Sequence, residues 1–197
     1  MKKLLITGFE PFGGEKINPS WEAVTRLPDE ISGYSLTKLR IPVVFGECAE
    51  RVIKAADDIK PDIILCIGQA GGRKAITPEL VGINLRYASI PDNGGNQPKD
   101  EPVTEGGAAA YFSTLPVRRI AEAISAAGLP SQVSYSAGAY VCNDVLYSLL
   151  DRYKNTDTRV GFIHIPYCVE QNKEPSMDIS DIVAGLIAAI DNIDVGA

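Results

Sequence analysis

Two residues of this chain, a cysteine and a histidine, could together carry out nucleophilic catalysis, and the first is the cysteine. Cys142 follows the glycine-containing segment SAGAYV and opens a helical pattern, so it is predicted to lie at a helix N-terminus. Unpaired N–H groups at that end lower the pKa of a thiol and favour the thiolate, which is the nucleophile. The position also suits a small buried apolar residue, as most free cysteines are.

The second is His164, the single histidine of the chain. It lies on the strand predicted to follow the Cys142 helix, and a β-α-β unit brings neighbouring strand ends together, so we expect it to act as base for the thiol. A core histidine bonded to backbone is the alternative. Because there is no second histidine, the His-rich zinc motifs of hydrolases are excluded.

A Cys–His pair needs a third group that fixes the imidazole tautomer, and Glu79 is a candidate. It opens an apolar segment close to the sequence GQAGGR at 68–73, although spacing alone does not choose among the acidic residues. The glycines of GQAGGR let backbone N–H groups approach a carbonyl or an oxyanion, or they simply form a tight turn. The segment matches neither GxGxxG nor GxxxxGK[ST], which argues against dinucleotide and P-loop sites.

The elements that would position these groups alternate along the chain. Strands are predicted at residues 3–7, 34–44, 62–67, 79–85, 132–136 and 159–165, and helices at 19–27, 46–59, 116–127, 142–153 and 179–190. This order predicts one α/β domain over residues 1–197, with three α/β/α layers around a mostly parallel, twisted mixed sheet. Ligands of such sheets gather at the carboxyl ends of the strands. The Gly- and Pro-rich residues 87–107 predict a long surface loop.

Composition narrows the class of protein. The 197 residues carry a net charge of −6 with 45% hydrophobic residues, as expected for a globular domain rather than a disordered chain. The acidic balance argues against nucleic-acid and anionic-membrane partners. No apolar run has the length of a membrane span or of a signal peptide, so we expect a cytoplasmic protein with four reduced cysteines. Of these, Cys66 and Cys48 are expected in the core and Cys168 at the surface.

Seven motifs taken together resemble one family. TGFEPFGG, NPSWEAV, GQAGGR, the Glu-x-x-x-Ile-Asn stretch at 79–84, IPDNGGNQP, AGAYVCN and GFIHIPY occur in that order between residues 7 and 167. They are similar to the motifs of pyroglutamyl-peptidase I (pyrrolidone-carboxylate peptidase), a family of cysteine peptidases. The resemblance implies an enzyme that removes N-terminal pyroglutamate from peptides through a Cys-His-Glu triad and an acyl-enzyme.

The resemblance also implies roles for individual residues. Cys142 would be the nucleophile, His164 the base and Glu79 the orienting acid. Substrate-binding residues would be Phe9, Phe12, Gln69, Tyr140 and Val141. Apolar ring faces and an amide that can both donate and accept hydrogen bonds suit a neutral lactam. The family further implies no metal or other cofactor, a cytoplasmic location and a homo-oligomer of two or four chains.

Two residues depart from the family pattern, and two other functions remain open. Tyr140 stands where Phe is common, and Ser89 stands where Arg is common, which puts a charge-based role of that position in doubt. One alternative is a phosphate-dependent nucleoside phosphorylase, in which GQAGGR with Arg73 and Lys74 would hold phosphate. The other is a non-catalytic module that binds pyroglutamyl peptides.

Overall fold

A six-stranded, mostly parallel sheet lies at the centre of the computed structural model, which describes residues 1–194. The last three residues of the predicted domain therefore lie outside the described part. The strands are β1 (Lys2–Phe9), β2 (Glu30–Ile31), β3 (Tyr34–Ile41), β4 (Ile63–Gln69), β5 (Thr77–Pro78), β6 (Val81–Ile83), β7 (Ala110–Phe112), β8 (Arg159–Ile165), β9 (Tyr167–Cys168) and β10 (Ser176–Met177). The central sheet has the order β2-β3-β1-β4-β8-β5. Its four middle strands are parallel and its two edge strands pair antiparallel.

Both faces of the central sheet are apolar. Along β1, Leu4 and Ile6 belong to one buried cluster and Leu5 belongs to another, and Ile63 and Ile64 of β4 divide in the same way. Because successive side chains of a strand point to opposite faces, a strand covered on both sides must be apolar at every position. This requirement explains the continuous apolar runs from which these strands are predicted.

Helices cover both faces and complete the three predicted layers. They are α1 (Pro19–Arg26), α2 (Glu47–Ile59), α3 (Val117–Ala126), α4 (Val141–Tyr153) and α5 (Ile179–Asp191). Helices α1, α3 and α5 pack on one face, and α2 and α4 pack on the other. The Asn18 side chain accepts a hydrogen bond from the Ser20 amide (3.1 Å) and Pro19 takes the first helical position, so the predicted start of α1 is confirmed.

Two predicted strands are wrong. Residues 132–136 form no strand, and Ser134 makes only an isolated bridge to Glu79. The predicted strand at 79–85 is replaced by β5 and β6 on either side of Glu79, and β6 pairs with β7 outside the central sheet. Pro78 explains both results, because it has no N–H to donate and so limits β5 to two residues at the sheet edge.

The predicted strand at 34–44 is shorter in the structure, and the predicted loop at 87–107 is present. The strand predicted at 34–44 ends at Ile41, since Pro42 interrupts its hydrogen-bonding pattern. Residues 87–107 contain no helix or strand and only an isolated bridge between Arg86 and Glu101, which confirms the long loop.

The strand register decides which residues meet at the carboxyl ends. Gly68 of β4 pairs with His164 of β8, and Thr77 of β5 lies opposite the same histidine. The chain continues from β5 to Glu79, whose backbone N–H donates to the carbonyl of Phe162 (2.9 Å). This edge of the sheet therefore brings together side chains from three separate parts of the sequence.

Candidate active site

Cys142 is the second residue of α4, at the helix N-terminus where it is predicted. Its sulfur lies against Gly68, since a Cβ built on that glycine would stand 3.1 Å from Sγ. Gly68 is the register partner of His164, so the missing side chain lets the thiol approach the strand beside the histidine. The two residues are thus brought together by β4, and not by a β-α-β unit that starts at residues 132–136.

His164 and Glu79 form a buried pair. The imidazole Nδ1 lies 2.6 Å from the Glu79 Oε1, and the two side chains are 4% and 0% exposed. An ionised carboxylate can only accept, so Nδ1 carries the proton and Nε2 keeps its lone pair. The ring of Phe162 packs against the imidazole with centroids 4.7 Å apart. These contacts fix both the tautomer and the orientation of the histidine.

Arg73 completes the surroundings of the buried carboxylate. Its Nη1 lies 2.7 Å from Glu79 Oε1 and 2.6 Å from the Thr77 hydroxyl, and its Nη2 donates to the Ser136 carbonyl (3.2 Å). In the sequence this arginine is singled out only as a possible phosphate ligand. Because its guanidinium is already bound to a carboxylate, GQAGGR does not present it to an anion.

The pKa values of the buried pair follow from these contacts. Burial alone would raise the pKa of Glu79, but the hydrogen bond and charge of His164, together with Arg73, hold it below the ordinary value. Burial lowers the pKa of His164 and outweighs the opposing effect of Glu79. At neutral pH the pair is therefore a carboxylate beside a neutral imidazole, which is the form that can accept a proton.

The protonation of Cys142 differs from the sequence-based expectation. Burial, with the negative charge of Glu79 as the next contribution, raises the pKa of the thiol to about 12. Desolvation of the thiolate therefore outweighs the lowering expected from the helix N-terminus at this position. A thiolate must be formed by transfer of the proton to a neighbouring base.

A small, mostly apolar pocket opens beside Cys142. All five residues predicted to bind substrate line it, namely Phe9, Phe12, Gln69, Tyr140 and Val141. The Tyr140 ring is held by an edge contact to Phe45, with centroids 5.3 Å apart, and its hydroxyl donates to the Pro91 carbonyl (3.1 Å). The pocket has flat ring surfaces and two side-chain amides, those of Gln69 and Asn18, next to a thiol.

Several residues at this site are missed or misjudged from the sequence. Asn18 is predicted only as a helix cap and Val43 carries no sequence signal, yet both line the pocket. Gln171 hydrogen-bonds to Gln69 (2.9 Å) from a short 3-10 helix that has no periodic pattern to reveal it. Cys168, expected at the surface, is 1% exposed, so that expectation is wrong.

Comparison with known proteins decides the family. The family model described as "Pyroglutamyl peptidase" matches residues 2–195. The pyrrolidone-carboxylate peptidase of Levilactobacillus brevis is 53% identical over 194 residues, which are 95% of each chain. Pyroglutamyl peptidase I of Bacillus amyloliquefaciens superimposes with a TM-score of 0.93 at 47% identity, covering 98% of this chain and 97% of that one. A mutant pyrrolidone carboxyl peptidase of Pyrococcus furiosus gives 0.91 at 39% identity, with 97% of both chains covered.

The chain belongs to the pyroglutamyl peptidase family. The predicted family, the α/β fold and the enzyme class are thereby confirmed: the protein is a cysteine peptidase that removes N-terminal pyroglutamate. Neither the phosphorylase nor the non-catalytic binding module is supported, and the engaged Arg73 argues separately against a phosphate site.

The described residues contain neither a membrane-spanning helix nor a cluster of metal-binding side chains. None of the helices within residues 1–194 combines the length and hydropathy needed to cross a membrane. The described part of the chain also contains no group of three or more His, Cys, Asp or Glu side chains arranged to hold a metal ion.

Proposed function

We propose that Cys142, His164 and Glu79 carry out the hydrolysis of the pyroglutamyl peptide bond. The observation that carries this proposal is the 2.6 Å contact between Glu79 Oε1 and His164 Nδ1, beside a thiol packed on the register partner of the histidine. It leaves a neutral imidazole with Nε2 available as a base. No other imidazole exists in the chain.

The first half of the reaction forms an acyl-enzyme. Nε2 of His164 takes the proton of Cys142, and the thiolate attacks the carbonyl carbon of the pyroglutamyl residue. The oxyanion is stabilised by unpaired N–H groups in the first turn of α4. The tetrahedral intermediate collapses, the C–N bond breaks, and the imidazolium returns the proton to the leaving amine.

The second half regenerates the enzyme. A water molecule gives a proton to His164 and attacks the thioester carbonyl, and the C–S bond breaks as pyroglutamate leaves. The proton then returns to the sulfur of Cys142. Throughout, the Glu79 carboxylate accepts from Nδ1 and stabilises the imidazolium that forms twice in the cycle.

The pocket supports recognition of the lactam ring. Phe9, Phe12, Tyr140 and Val141 offer apolar surface to its faces, and Gln69 offers an amide to its polar edge. Within residues 1–194 no carboxylate that could pair with an α-ammonium group lines this pocket, which suits a substrate with a blocked N-terminus. An analogue that cannot make the hydrogen bonds of the lactam would leave a buried polar group of the pocket unpaired. Its binding would then be weaker by about 1–3 kcal/mol per unpaired group.

Hydrolysis of a pyroglutamyl-arylamide by the Cys142→Ala variant tests the mechanism. We expect no turnover above the buffer rate, whereas the Cys66→Ala variant, in which a core thiol of β4 is removed, retains activity. Iodoacetamide should alkylate Cys142, which is partly exposed, before the fully buried Cys66. Turnover by Cys142→Ala would refute the assignment of the nucleophile.

We also propose a single domain, a cytoplasmic location and a homo-oligomer of two or four chains. The four cysteines are free, which is compatible with a reducing compartment. Phe112 and Tyr135 are 71% and 61% exposed, and exposed aromatic residues of this kind are common in protein interfaces. Sedimentation equilibrium measures the number of chains, and a monomer at micromolar concentration would contradict the oligomer.

A further inference from the structure

Gln171 lies outside the pocket but contacts Gln69, one of the two amide side chains that line it. It ends the 3-10 helix Val169–Gln171 that follows β9, and its side chain is mostly buried. Its Nε2 lies 2.9 Å from the Oε1 of Gln69, at the end of β4. The contact connects two amides, so its direction determines which polar atom Gln69 offers to a ligand.

Two neighbours fix the orientation of the Gln171 amide. The Cys168 backbone N–H donates to the Gln171 Oε1 (3.2 Å), and a backbone N–H can only donate. On the other side, the Glu15 carboxylate lies 3.5 Å from Nε2 and can only accept. The hydrogen bond and charge of Lys173 lower the pKa of Glu15, which keeps that carboxylate ionised. Oxygen and nitrogen of Gln171 are therefore assigned by independent partners.

This orientation determines how Gln69 faces the pocket. Its Oε1 is occupied by the Gln171 donor, and its Nε2 has no hydrogen-bond partner among residues 1–194. A lactam edge carries one carbonyl acceptor and one N–H donor. Gln69 held in this way presents its N–H donors to the lactam carbonyl.

We propose that Gln171 is a positioning residue for substrate specificity, which holds the Gln69 amide with its N–H donors directed toward the lactam carbonyl. The inference rests on the proposed function of the pocket. It extends that function by assigning the direction of the hydrogen bond and a residue that controls it without touching the substrate.

The test compares two substitutions of Gln171. We expect the more conservative one, Gln171→Glu, to impair substrate binding more than Gln171→Met. Gln171→Glu keeps the shape but replaces the donor by a carboxylate, so Gln69 turns its Oε1 toward the lactam carbonyl. We expect KM for a pyroglutamyl-arylamide to rise on the order of tens of fold, because two acceptors then face each other. Gln171→Met only frees Gln69, and the expected rise is about 3- to 10-fold. Because the new carboxylate would also repel Glu15, both substitutions are compared in a Glu15→Gln background, where a purely structural role predicts that the isosteric Glu variant is the milder one.

Acidification, measured in the same Glu15→Gln background, provides a second reading that packing would not change. When the new carboxyl group is protonated, its O–H again donates to Gln69 Oε1. The ratio of the KM of Gln171→Glu to that of the wild type should therefore fall between pH 8 and pH 5, while the ratio for Gln171→Met stays constant. 2-Pyrrolidone has the lactam ring without a scissile bond. It should inhibit the wild type most strongly, Gln171→Met less strongly and Gln171→Glu least.

Controls separate this inference from the proposed function. Gln132→Met, a substitution of an exposed glutamine away from the pocket, should leave KM unchanged, and melting temperatures of all variants report folding. Unchanged KM in folded Gln171→Glu, with an active wild type, would overturn the role of Gln171 alone. A wild type without turnover would instead overturn the proposed function.

Discussion

The Glu79→Gln substitution tests the catalytic arrangement most directly. It keeps the size of the side chain but removes the charge that lies 2.6 Å from His164 Nδ1 in a buried setting. The amide no longer fixes the imidazole tautomer or stabilises the imidazolium, and Arg73 remains as an unbalanced positive charge nearby. All three effects oppose transfer of the thiol proton.

The size of the effect follows from the contact. A charge-assisted hydrogen bond contributes about 1.5–3 kcal/mol, and two unit charges 4 Å apart interact by about 4 kcal/mol at an effective dielectric constant of 20. The two contributions overlap, so we expect the substitution to reduce the stabilisation of the transition state by about 3–5 kcal/mol. At about 1.36 kcal/mol per tenfold, kcat should fall about 10²- to 10⁴-fold.

The pH dependence gives the sign of the effect. Glu79 opposes the lowering of the His164 pKa by burial, so its removal lowers that pKa further. The acid limb of kcat/KM should therefore move to lower pH while the plateau falls. The assay is arylamide hydrolysis between pH 4 and pH 9, with Glu122→Gln on the exposed face of α3 as the matched control. The reasoning would be refuted if Glu79→Gln kept more than a third of the wild-type kcat and the acid limb of its kcat/KM profile stayed at the wild-type pH.

Three further predictions concern single groups around the site and the sheet. In Gly68→Ala, the new Cβ would lie 2.5 Å from a Phe162 ring atom. We expect the arylamide assay to show a loss of activity, and urea unfolding to show a loss of about 1–3 kcal/mol in the free energy of unfolding. Tyr140→Phe removes the hydrogen bond to the Pro91 carbonyl and should lower the free energy of unfolding by about 0.5–1.5 kcal/mol, measured by urea unfolding. Burial would raise the Asp194 pKa, but hydrogen bonds from Lys2 and Tyr34 and the charge of Arg159 lower it to about 2, so its stabilisation is present above the ordinary pKa of 3.8 and is lost as the pH falls through about 2. Asp194→Asn should therefore lower the melting temperature at pH 7, and the difference should shrink steeply between about pH 4 and pH 2.

Each of these predictions has a clear contrary outcome. Tyr153 is the matched control for Tyr140, because its buried hydroxyl has no hydrogen-bond partner within the described chain, and Tyr153→Phe should cost nothing. Equal losses in both variants would show that the bond to Pro91 is irrelevant. Wild-type activity in Gly68→Ala would mean that the thiol does not need the space above β4. A melting-temperature difference for Asp194→Asn that is undiminished at pH 2 would contradict the assigned pKa.

Local patterns predict the elements that are buried or capped. The strand predicted at 159–165 coincides with β8, because a strand covered on both faces must be apolar throughout. The start of α1 follows from Asn18 and Pro19, whose roles depend only on the adjacent backbone. The strand at 132–136 fails for the opposite reason: pairing depends on the neighbour it meets, and that neighbour contains Pro78.

The sequence alone determined the apolar framework, the α/β class and the ordered motifs that indicate the family, because these depend on residue type and short spacing. Tertiary structure decided which distant groups touch: the thiol above Gly68, the Arg73 guanidinium on Glu79, and Gln171 behind Gln69. It also reversed the expected pKa of Cys142, since desolvation depends on everything packed around the sulfur. Register and burial arise from contacts between remote segments, and no local pattern encodes them.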